Sequence, residues 1–298
     1  METKKFILKK IGTYLLLTFG LSSIFYYLII SSGSLRAGGF LYVLGLMWSP
    51  GTAGMLTQLM YQKNLRGLGW GWGKTKYQLW SYFIPLLYAA AAYGVVWLSG
   101  LGGFYNHEFI EKTAAQFGLQ SFSRSSIIAM YVGFAATLGF LQSCISALGE
   151  EIGWRGFLVP HLAKIMSFRS VVLVSAGIWS VWHYPVLFFA DYNAGTPWWY
   201  SGTCFTVMVF GISFVFAWMR LKSGSLWTGM ILHASHNLFI QAVFDKLTVD
   251  TGITKYITGE FGAALVVSSL VVAWIVWKKK NDLESSPVGQ SSQTISRA

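Results

Sequence analysis

Long apolar stretches alternate with short polar segments along almost the whole of this 298-residue chain. Each apolar stretch is close to the roughly 20 residues that an α-helix needs to cross the hydrocarbon core of a bilayer. The pattern therefore predicts an all-α fold, a polytopic transmembrane helix bundle with about eight spans. The predicted spans are 11–31, 39–61, 78–100, 126–158, 169–190, 198–219, 224–243 and 258–277.

Proline and the polar segments predict where the helices end and how the chain divides into domain and tail. Pro160 follows the long fourth span, and a helix is expected to stop or bend there because proline lacks an N–H donor. The longest loop, 101–125, is expected to hold a short interfacial helix. We interpret residues 1–280 as a single transmembrane domain whose motif-bearing core is about 126–243. The Ser-rich tail 281–298 is expected to be disordered.

The amino-acid composition strengthens the membrane interpretation. Only 11% of the residues are charged and 54% are hydrophobic, whereas about 25% of a soluble domain is charged. The apolar N-terminal segment lacks a small-residue cleavage site, so we interpret it as an uncleaved first span. Cys144 and Cys204 both fall in apolar runs, with neither the spacing of a disulfide framework nor that of a metal site.

The basic residues predict the orientation. The net charge is +11, but the charges form short clusters between spans, a pattern that argues against nucleic-acid binding. Assigning alternate loops to opposite sides places sixteen Lys and Arg on one side and five on the other. The positive-inside rule then predicts cytoplasmic termini. We expect a multi-pass integral membrane protein in the lipid bilayer, located in the plasma membrane if the host is bacterial.

Ionisable residues within the spans are the candidates for chemistry. A charge in the middle of a bilayer costs several kcal/mol, so such residues face the protein interior and are functional candidates. Asp191 and Glu260 are assigned to span edges. The remaining residues are Glu150, Glu151, Arg155, His183, His233 and His236.

The first motif is Glu150-Glu151-x-x-x-Arg155. Glu151 and Arg155 are four residues apart on a helix and can pair. Glu150 is rotated by about 100° from Glu151 and points elsewhere, so we expect it to be less paired, in a dry setting that suits a general base. The alternative is a plain intrahelical ion pair with a spare glutamate near the interface.

The fifth span carries His183 in an aromatic segment, and a satisfied core histidine is the alternative to a functional one. In the seventh span His233 and Asn237 share a helix face, while His236 lies on a neighbouring face and is interpreted as a decoy. From the helical rise, Glu150, His233 and His183 lie about 12, 14 and 21 Å from the cytoplasmic ends of their spans. The three motifs are therefore expected to converge in the cytoplasmic half of the bundle.

The three motifs, in this order, resemble the CaaX protease and bacteriocin-processing (CPBP) family, which includes the type II CaaX prenyl endopeptidases. The family pattern is EExxxR, FxxxH and HxxxN or HxxxD on three transmembrane helices. The second and third motifs read Trp179-x-x-x-His183 and His233-x-x-x-Asn237 in this chain. Trp179 replaces the usual Phe and keeps an aromatic ring. The resemblance covers about 140–240.

The resemblance implies an intramembrane endopeptidase. Glu150 would activate a water molecule, and His183 would orient that water or shuttle a proton. His233 and Asn237 would stabilise the oxyanion of the tetrahedral intermediate, and Glu151 and Arg155 would support this site. The implied substrate is a peptide or protein in the membrane, of the prenylated CaaX type or otherwise hydrophobic.

The sequence leaves the role of a metal open. It has no HExxH motif, and we favour a mechanism in which a glutamate activates water and no cofactor is required. The alternative is a zinc ion held by Glu150, His183 and His233, since two imidazoles and a carboxylate are a known zinc ligand set.

Two other functions compete with the peptidase. One is a non-catalytic CPBP-like protein with a bacteriocin-immunity or scaffold role, and the other is a proton-coupled transporter that uses Glu150 and the histidines as a relay. The four intact polar residues favour the enzyme, because a scaffold has no need of them in lipid. No inverted repeat with paired broken helices, which would favour a transporter, is visible.

Overall fold

The computed structural model describes residues 2–35 and 38–283, and it is predominantly helical. In chain order its elements are α1 (Lys4–Ser32), α2 (Leu41–Gln62), α3 (Thr75–Leu98), β1 (Gly103–Phe104), α4 (His107–Phe117), α5 (Arg124–Phe134), α6 (Phe140–Glu151), α7 (Val159–Ala163), α8 (Phe168–Phe189), α9 (Trp198–Ser223), α10 (Trp227–Asn237), α11 (Asp245–Leu247), β2 (Thr248–Val249), α12 (Thr254–Ile257) and α13 (Ala263–Lys278). The predicted all-α class is confirmed.

The two short strands are the exception to the helical pattern. β1 and β2 pair in antiparallel fashion, with Gly103 opposite Val249 and Phe104 opposite Thr248. This pairing ties the loop after α3 to the segment after α11. It therefore closes one end of the bundle rather than contributing to its core.

Three π-helical segments interrupt the α-helices, at Ala135–Gly139, Ile152–Leu158 and Leu238–Phe244. The first two join α5, α6 and α7 into one helical run of 40 residues. The second begins immediately after Glu151, and the third immediately after Asn237. Insertions of this kind are rare and occur frequently at functional sites, and here they adjoin two of the three sequence motifs.

Helices lie at all eight predicted spans. Five helical segments in the described residues are long and apolar enough to cross a membrane: Lys4–Ser32, Thr75–Leu98, Arg124–Ala163, Phe168–Phe189 and Trp198–Ser223. The last predicted span is a shorter apolar helix, α13, and the seventh combines α10 with the third π segment. Large apolar side chains on the outside, such as Leu16, Leu141 and Val267, are each at least 60% exposed. A polytopic helical bundle accounts for both features.

The structure contains the helix predicted for the loop 101–125, but no helix ends at Pro160. The interfacial helix expected in 101–125 is α4, where the Asn106 side chain accepts from the N–H of Phe109 at 3.1 Å. Pro160 does not end its helix, which runs on to Ala163, because Pro160 lies in the first turn of α7, where the missing N–H donor is tolerated.

Two predicted boundaries were wrong. The last span begins at Ala263 rather than at 258, because Gly259 adopts a φ of 72° that no right-handed helix contains. The tail was predicted to be disordered from residue 281, but Lys280–Leu283 forms a 3₁₀ turn in which Lys222 donates to the backbone carbonyl of Asp282. The rest of the predicted tail, 284–298, lies outside the described residues.

The basic segments gather at one end of the bundle. Glu2, next to the N-terminus, forms ion pairs with Lys10 and Lys164, at 2.7 and 3.0 Å. The N–H of Leu226, after α9, donates to the carbonyl of Gly69 at 2.8 Å. The indole of Trp218 donates to the carbonyl of Lys279 at 3.2 Å. The first and last described residues therefore lie on the same side of the bundle as the Lys- and Arg-rich loops, as the charge count predicted. The assignment of that side to the cytoplasm stays a prediction.

The bundle is organised around α9. In its most apolar 18-residue window 72% of the residues are buried, against 17% for α1. α9 packs most extensively on α8 and α13. α8 and α10 both contact α9, and α6 packs on α10, so the three helices that carry the predicted motifs are neighbours in the bundle.

Candidate active site

Close backbone packing brings the acidic pair to the centre of the bundle. α6 carries Glu150 and Glu151 at its end and lies against α2. A Cβ added at Gly149 would lie 2.8 Å from the carbonyl oxygen of Met47, and one added at Gly153 would lie 2.5 Å from the backbone of Pro50. Small residues four apart permit such an approach between membrane helices, so the glycines that flank the acidic pair place it in the interior.

Glu151 is the common partner of Arg155 and His233 in a buried ion-pair cluster. Its Oε1 accepts from the guanidinium of Arg155 at 2.8 Å and from Nδ1 of His233 at 2.9 Å. Glu151, Arg155 and His233 are all at least 94% buried. The predicted pairing of Glu151 with Arg155 is confirmed. The contact with His233 was not predicted, and it joins the first motif to the third.

Aromatic rings complete the surroundings of Arg155. Its guanidinium lies 4.2 Å from the ring centroid of Trp179 and 3.9 Å from that of Phe216. The backbone carbonyl of Arg155 accepts from Nε of Arg220 at 2.6 Å. A buried cation held by one carboxylate and two ring faces is a fixed structural element, so Arg155 secures the position of Glu151.

Glu150 has neutral partners. Its Oε2 accepts from the indole N–H of Trp154 at 3.1 Å and from that of Trp179 at 2.8 Å. The side chain is 1% exposed. Glu150 therefore lacks the direct ion pair that Glu151 makes, as predicted, but its carboxylate is held in place. Trp179 has a polar role that the Phe usual at this position in the family could not perform.

The imidazole of His183 is oriented by the same residue. Its Nδ1 lies 2.8 Å from the backbone carbonyl of Trp179. A carbonyl can only accept, so Nδ1 carries the hydrogen and Nε2 of the neutral ring is left as an acceptor. The ring is half-buried and packs edge-on against Trp182.

The four predicted catalytic residues line one cavity of about 150 Å³. They come from α6, α8 and α10 and are Glu150, His183, His233 and Asn237. The apolar part of the wall comes from α2, α8 and α9, including Met47, Phe205 and Phe216. His183, despite its deeper estimated position, reaches the same space as the other three.

The same cavity has a polar wall that the sequence analysis missed. His236 and Glu260 both line it, and His236 Nε2 donates to Glu260 Oε1 at 3.1 Å. The hydroxyl of Tyr192 donates to Glu260 Oε2 at 2.6 Å, and the hydroxyl of Tyr88 bonds to Nδ1 of His236. The sequence analysis interpreted His236 as a decoy and assigned Glu260 to a span edge, so it placed neither in the site, whereas in the structure both line the cavity. The sequence did contain a signal for this wall, because Glu260 is a carboxylate at the start of an apolar run.

The zinc alternative can be compared with this geometry. In residues 2–35 and 38–283, no three His, Cys, Asp or Glu side chains are grouped as ligands of one metal ion. Nδ1 of His183 and Nδ1 of His233 are both engaged with protein acceptors, and Glu150 Oε2 already accepts two indole hydrogens. These bonds leave Nε2 of both imidazoles and Oε1 of Glu150 open, and a metal-bound histidine ordinarily donates its other ring N–H to a carboxylate or a carbonyl. The zinc alternative therefore stands beside the metal-free one.

Comparisons with known proteins agree with the motifs. Residues 132–239 match the model of the family described as Type II CAAX prenyl endopeptidase Rce1-like. This segment contains all six residues of the predicted site and excludes Glu260. The family resemblance is therefore confirmed for this segment.

A curated relative matches as well. The chain is 27% identical over 119 residues to CAAX prenyl protease 2 of Methanococcus maripaludis. The aligned region is 37% of this chain and spans 43% of the length of that relative.

Proposed function

We propose that this chain, whose residues 132–239 match the Rce1-like family model, is an intramembrane endopeptidase that hydrolyses a peptide bond in a membrane-associated substrate. One observation carries the proposal: Glu150, His183, His233 and Asn237 come from three helices and line a single small cavity. Ionisable side chains within a membrane cost free energy and are functional candidates for that reason. Their convergence on one cavity supports a common role in a single reaction.

The reaction begins with a water molecule between Glu150 and His183. Glu150 accepts one proton of this water, and the neutral His183 orients it through Nε2. The indole of Trp179 fixes the carboxylate, and its backbone carbonyl fixes the imidazole, at 2.8 Å each. The hydroxide attacks the carbonyl carbon of the scissile bond, whose π electrons move to the oxygen.

The opposite wall stabilises the resulting oxyanion. His233 donates from Nε2 when its ring is protonated, and Glu151 at Nδ1 stabilises that imidazolium. Asn237, four residues further along the helix, donates from its amide. Preorganised donors of this kind typically contribute about 3–4 kcal/mol each to the transition state. When the intermediate collapses, the C–N bond breaks and protonated Glu150 gives its proton to the leaving nitrogen.

The proposed mechanism uses no metal. In residues 2–35 and 38–283 no three His, Cys, Asp or Glu side chains are grouped to hold one metal ion, which supports this choice. Elemental analysis of the purified, active protein tests it: we expect no stoichiometric zinc and full activity after treatment with a chelator. Zinc at one ion per chain, with activity that chelation removes and zinc restores, would overturn it.

The substrate class follows from the setting. We propose a membrane-embedded or lipid-anchored peptide, and a prenylated CaaX-type tail is the form acted on by the named relative. Membrane peptides from cells that carry the wild-type protein are compared with those from cells that carry Glu150→Ala. The proposal requires one uncut substrate to accumulate with the variant and its shortened product to appear only with the wild type. Identical peptide profiles would contradict it.

A further inference from the structure

A second and larger cavity lies on the outer face of the bundle. It is a groove between α3, α9 and α13 with a volume of about 1060 Å³. The rims are apolar and outward-facing: Leu87, Val95 and Val267 are each more than half exposed. Ala91 and Ala264, from opposite walls, leave the groove wide. Its contents are therefore in contact with the hydrocarbon of the bilayer.

The groove is long enough for an extended lipid chain. The residues that line it on α3 run from Lys76 to Val96, a distance of about 30 Å at the rise of an α-helix. This is the thickness of the hydrocarbon core of a typical bilayer. A single acyl chain can lie along the groove within one leaflet and leave its headgroup at one end.

One end of the groove is positively charged. Lys76, Lys222 and Lys279 line this end together with Asp282. Lys222 donates to the backbone carbonyl of Asp282. Lys76 and Lys279 are exposed, and neither forms an ion pair with a carboxylate in residues 2–35 and 38–283.

This charged end has the features of a headgroup site. It lies at the end of the bundle where the basic loops gather, which is the side that the positive-inside rule assigns to the cytoplasm. Trp80 and Trp218 line the groove there, and tryptophan is enriched at the level of lipid headgroups. Basic pockets between transmembrane helices on this side characteristically bind anionic headgroups.

We propose that the groove binds one anionic phospholipid, with an acyl chain along α3 and α13 and the phosphate between Lys76 and Lys279. The charge favours an anionic over a zwitterionic lipid, because a zwitterionic headgroup brings its own cation next to Lys76 and Lys279. The proposal does not depend on the peptidase activity.

The groove also adjoins the wall of the small cavity. Tyr88 lines the groove, and its hydroxyl bonds to His236 of the cavity. His236 precedes Asn237 in the chain. An acyl chain in the groove would therefore pack directly against the residue that supports this wall.

Lipid binding is measured on the purified full-length chain in a mild detergent by native mass spectrometry. The chain is titrated with phosphatidylglycerol and, separately, with phosphatidylcholine of the same acyl chains. We expect one phosphatidylglycerol per chain, held at least tenfold more tightly than phosphatidylcholine. Lys76→Gln/Lys279→Gln should weaken the binding of phosphatidylglycerol about thirtyfold, the loss expected for two basic residues at a membrane surface.

Two matched variants locate the site. Lys5→Gln/Lys9→Gln removes two exposed charges from the same end of the bundle but outside the groove, and it should bind like the wild type. Ala91→Trp fills the groove and should abolish binding of both lipids. Equal affinity for the two lipids, an equal loss in both lysine variants, or unchanged binding by Ala91→Trp would overturn the proposal, as would a neutral lipid or an isoprenoid found in the groove of the protein as purified.

Discussion

Nε1 of Trp179 lies 2.8 Å from Oε2 of Glu150, so the aromatic residue of the second motif holds the carboxylate of the first. The same residue presents its backbone carbonyl to His183 and its ring face to Arg155. One residue thus connects the proposed base, its partner imidazole and the buried cation.

Trp179→Phe keeps an aromatic ring and removes only the indole donor. Glu150 then retains a single indole partner, Trp154. A hydrogen bond to a charged group is worth about 1.5–3 kcal/mol, so we expect the turnover number to fall about tenfold or more with little change in KM. Steady-state kinetics on the purified protein measure this.

Trp182→Phe is the matched control for this variant. Its indole donates to Ser22 at 2.7 Å and makes no bond to Glu150. The turnover number of Trp182→Phe should stay within about threefold of the wild type. Equal losses in the two variants would mean that the bond to Glu150 has no special role.

Glu151→Gln should damage the fold more than Glu150→Gln does. It leaves Arg155 buried without its carboxylate, and breaking a buried ion pair by removing one partner costs about 3–5 kcal/mol. Glu150 has two neutral partners and no such pair. Thermal unfolding in detergent should show a midpoint lower by about 6 °C or more for Glu151→Gln than for Glu150→Gln. Equal midpoints would contradict the assigned roles.

Gly229 provides the space that Glu151 occupies. A Cβ at this position would lie 2.6 Å from Oε2 of Glu151 and 3.2 Å from Cγ of Arg155. Gly229→Ala is therefore expected to displace the ion-pair cluster, lowering the unfolding midpoint and reducing cleavage at least tenfold.

Gly94→Ala is the matched control for this substitution. Gly94 lies in α3, and a Cβ there would meet nothing within 4 Å. Alanine is favoured over glycine in helices by about 1 kcal/mol, so this variant should be as stable as the wild type or slightly more stable. A harmless Gly229→Ala would show that the packing around Glu151 is looser than described.

Glu260 tests the wall of the cavity that lies outside the family match. Glu260→Gln removes the charge that His236 and Tyr192 hold. Since His236 is adjacent to the proposed oxyanion donor Asn237, we expect the turnover number to fall about tenfold. Asp245→Asn alters another carboxylate that accepts from a tyrosine, Tyr93, but does not line the cavity. A fall of the same size in Asp245→Asn would assign the effect to general destabilisation.

The spans and the motif-bearing faces could be predicted from the sequence because both follow from local periodicity. Apolar length identified the helices, and a spacing of four identified the pairs Glu151–Arg155 and His233–Asn237. The interfacial helix was predictable because α4 occupies the one long loop and has its own capping residues, Asn106 and Gly118.

The contacts between helices could not be predicted in the same way. The bond from His233 to Glu151 joins residues 82 positions apart, and that from Tyr88 to His236 joins residues 148 apart. No local pattern specifies which helices become neighbours. The role of Trp179 was missed because aromatic character alone was considered, whereas its indole N–H determines the contact with Glu150.

The most direct test of the proposed active site is the cleavage rate of Glu150→Gln, measured on purified protein with the substrate that accumulates in the Glu150→Ala cells. The side chain keeps its size and can still accept from both indoles, but it no longer takes a proton from water. Loss of a general base lowers rates by about 10²–10⁴-fold. We expect a turnover number reduced at least a hundredfold, with the yield and unfolding midpoint near those of the wild type. A turnover number within tenfold of the wild type would show that Glu150 is not the general base and would contradict the proposed mechanism.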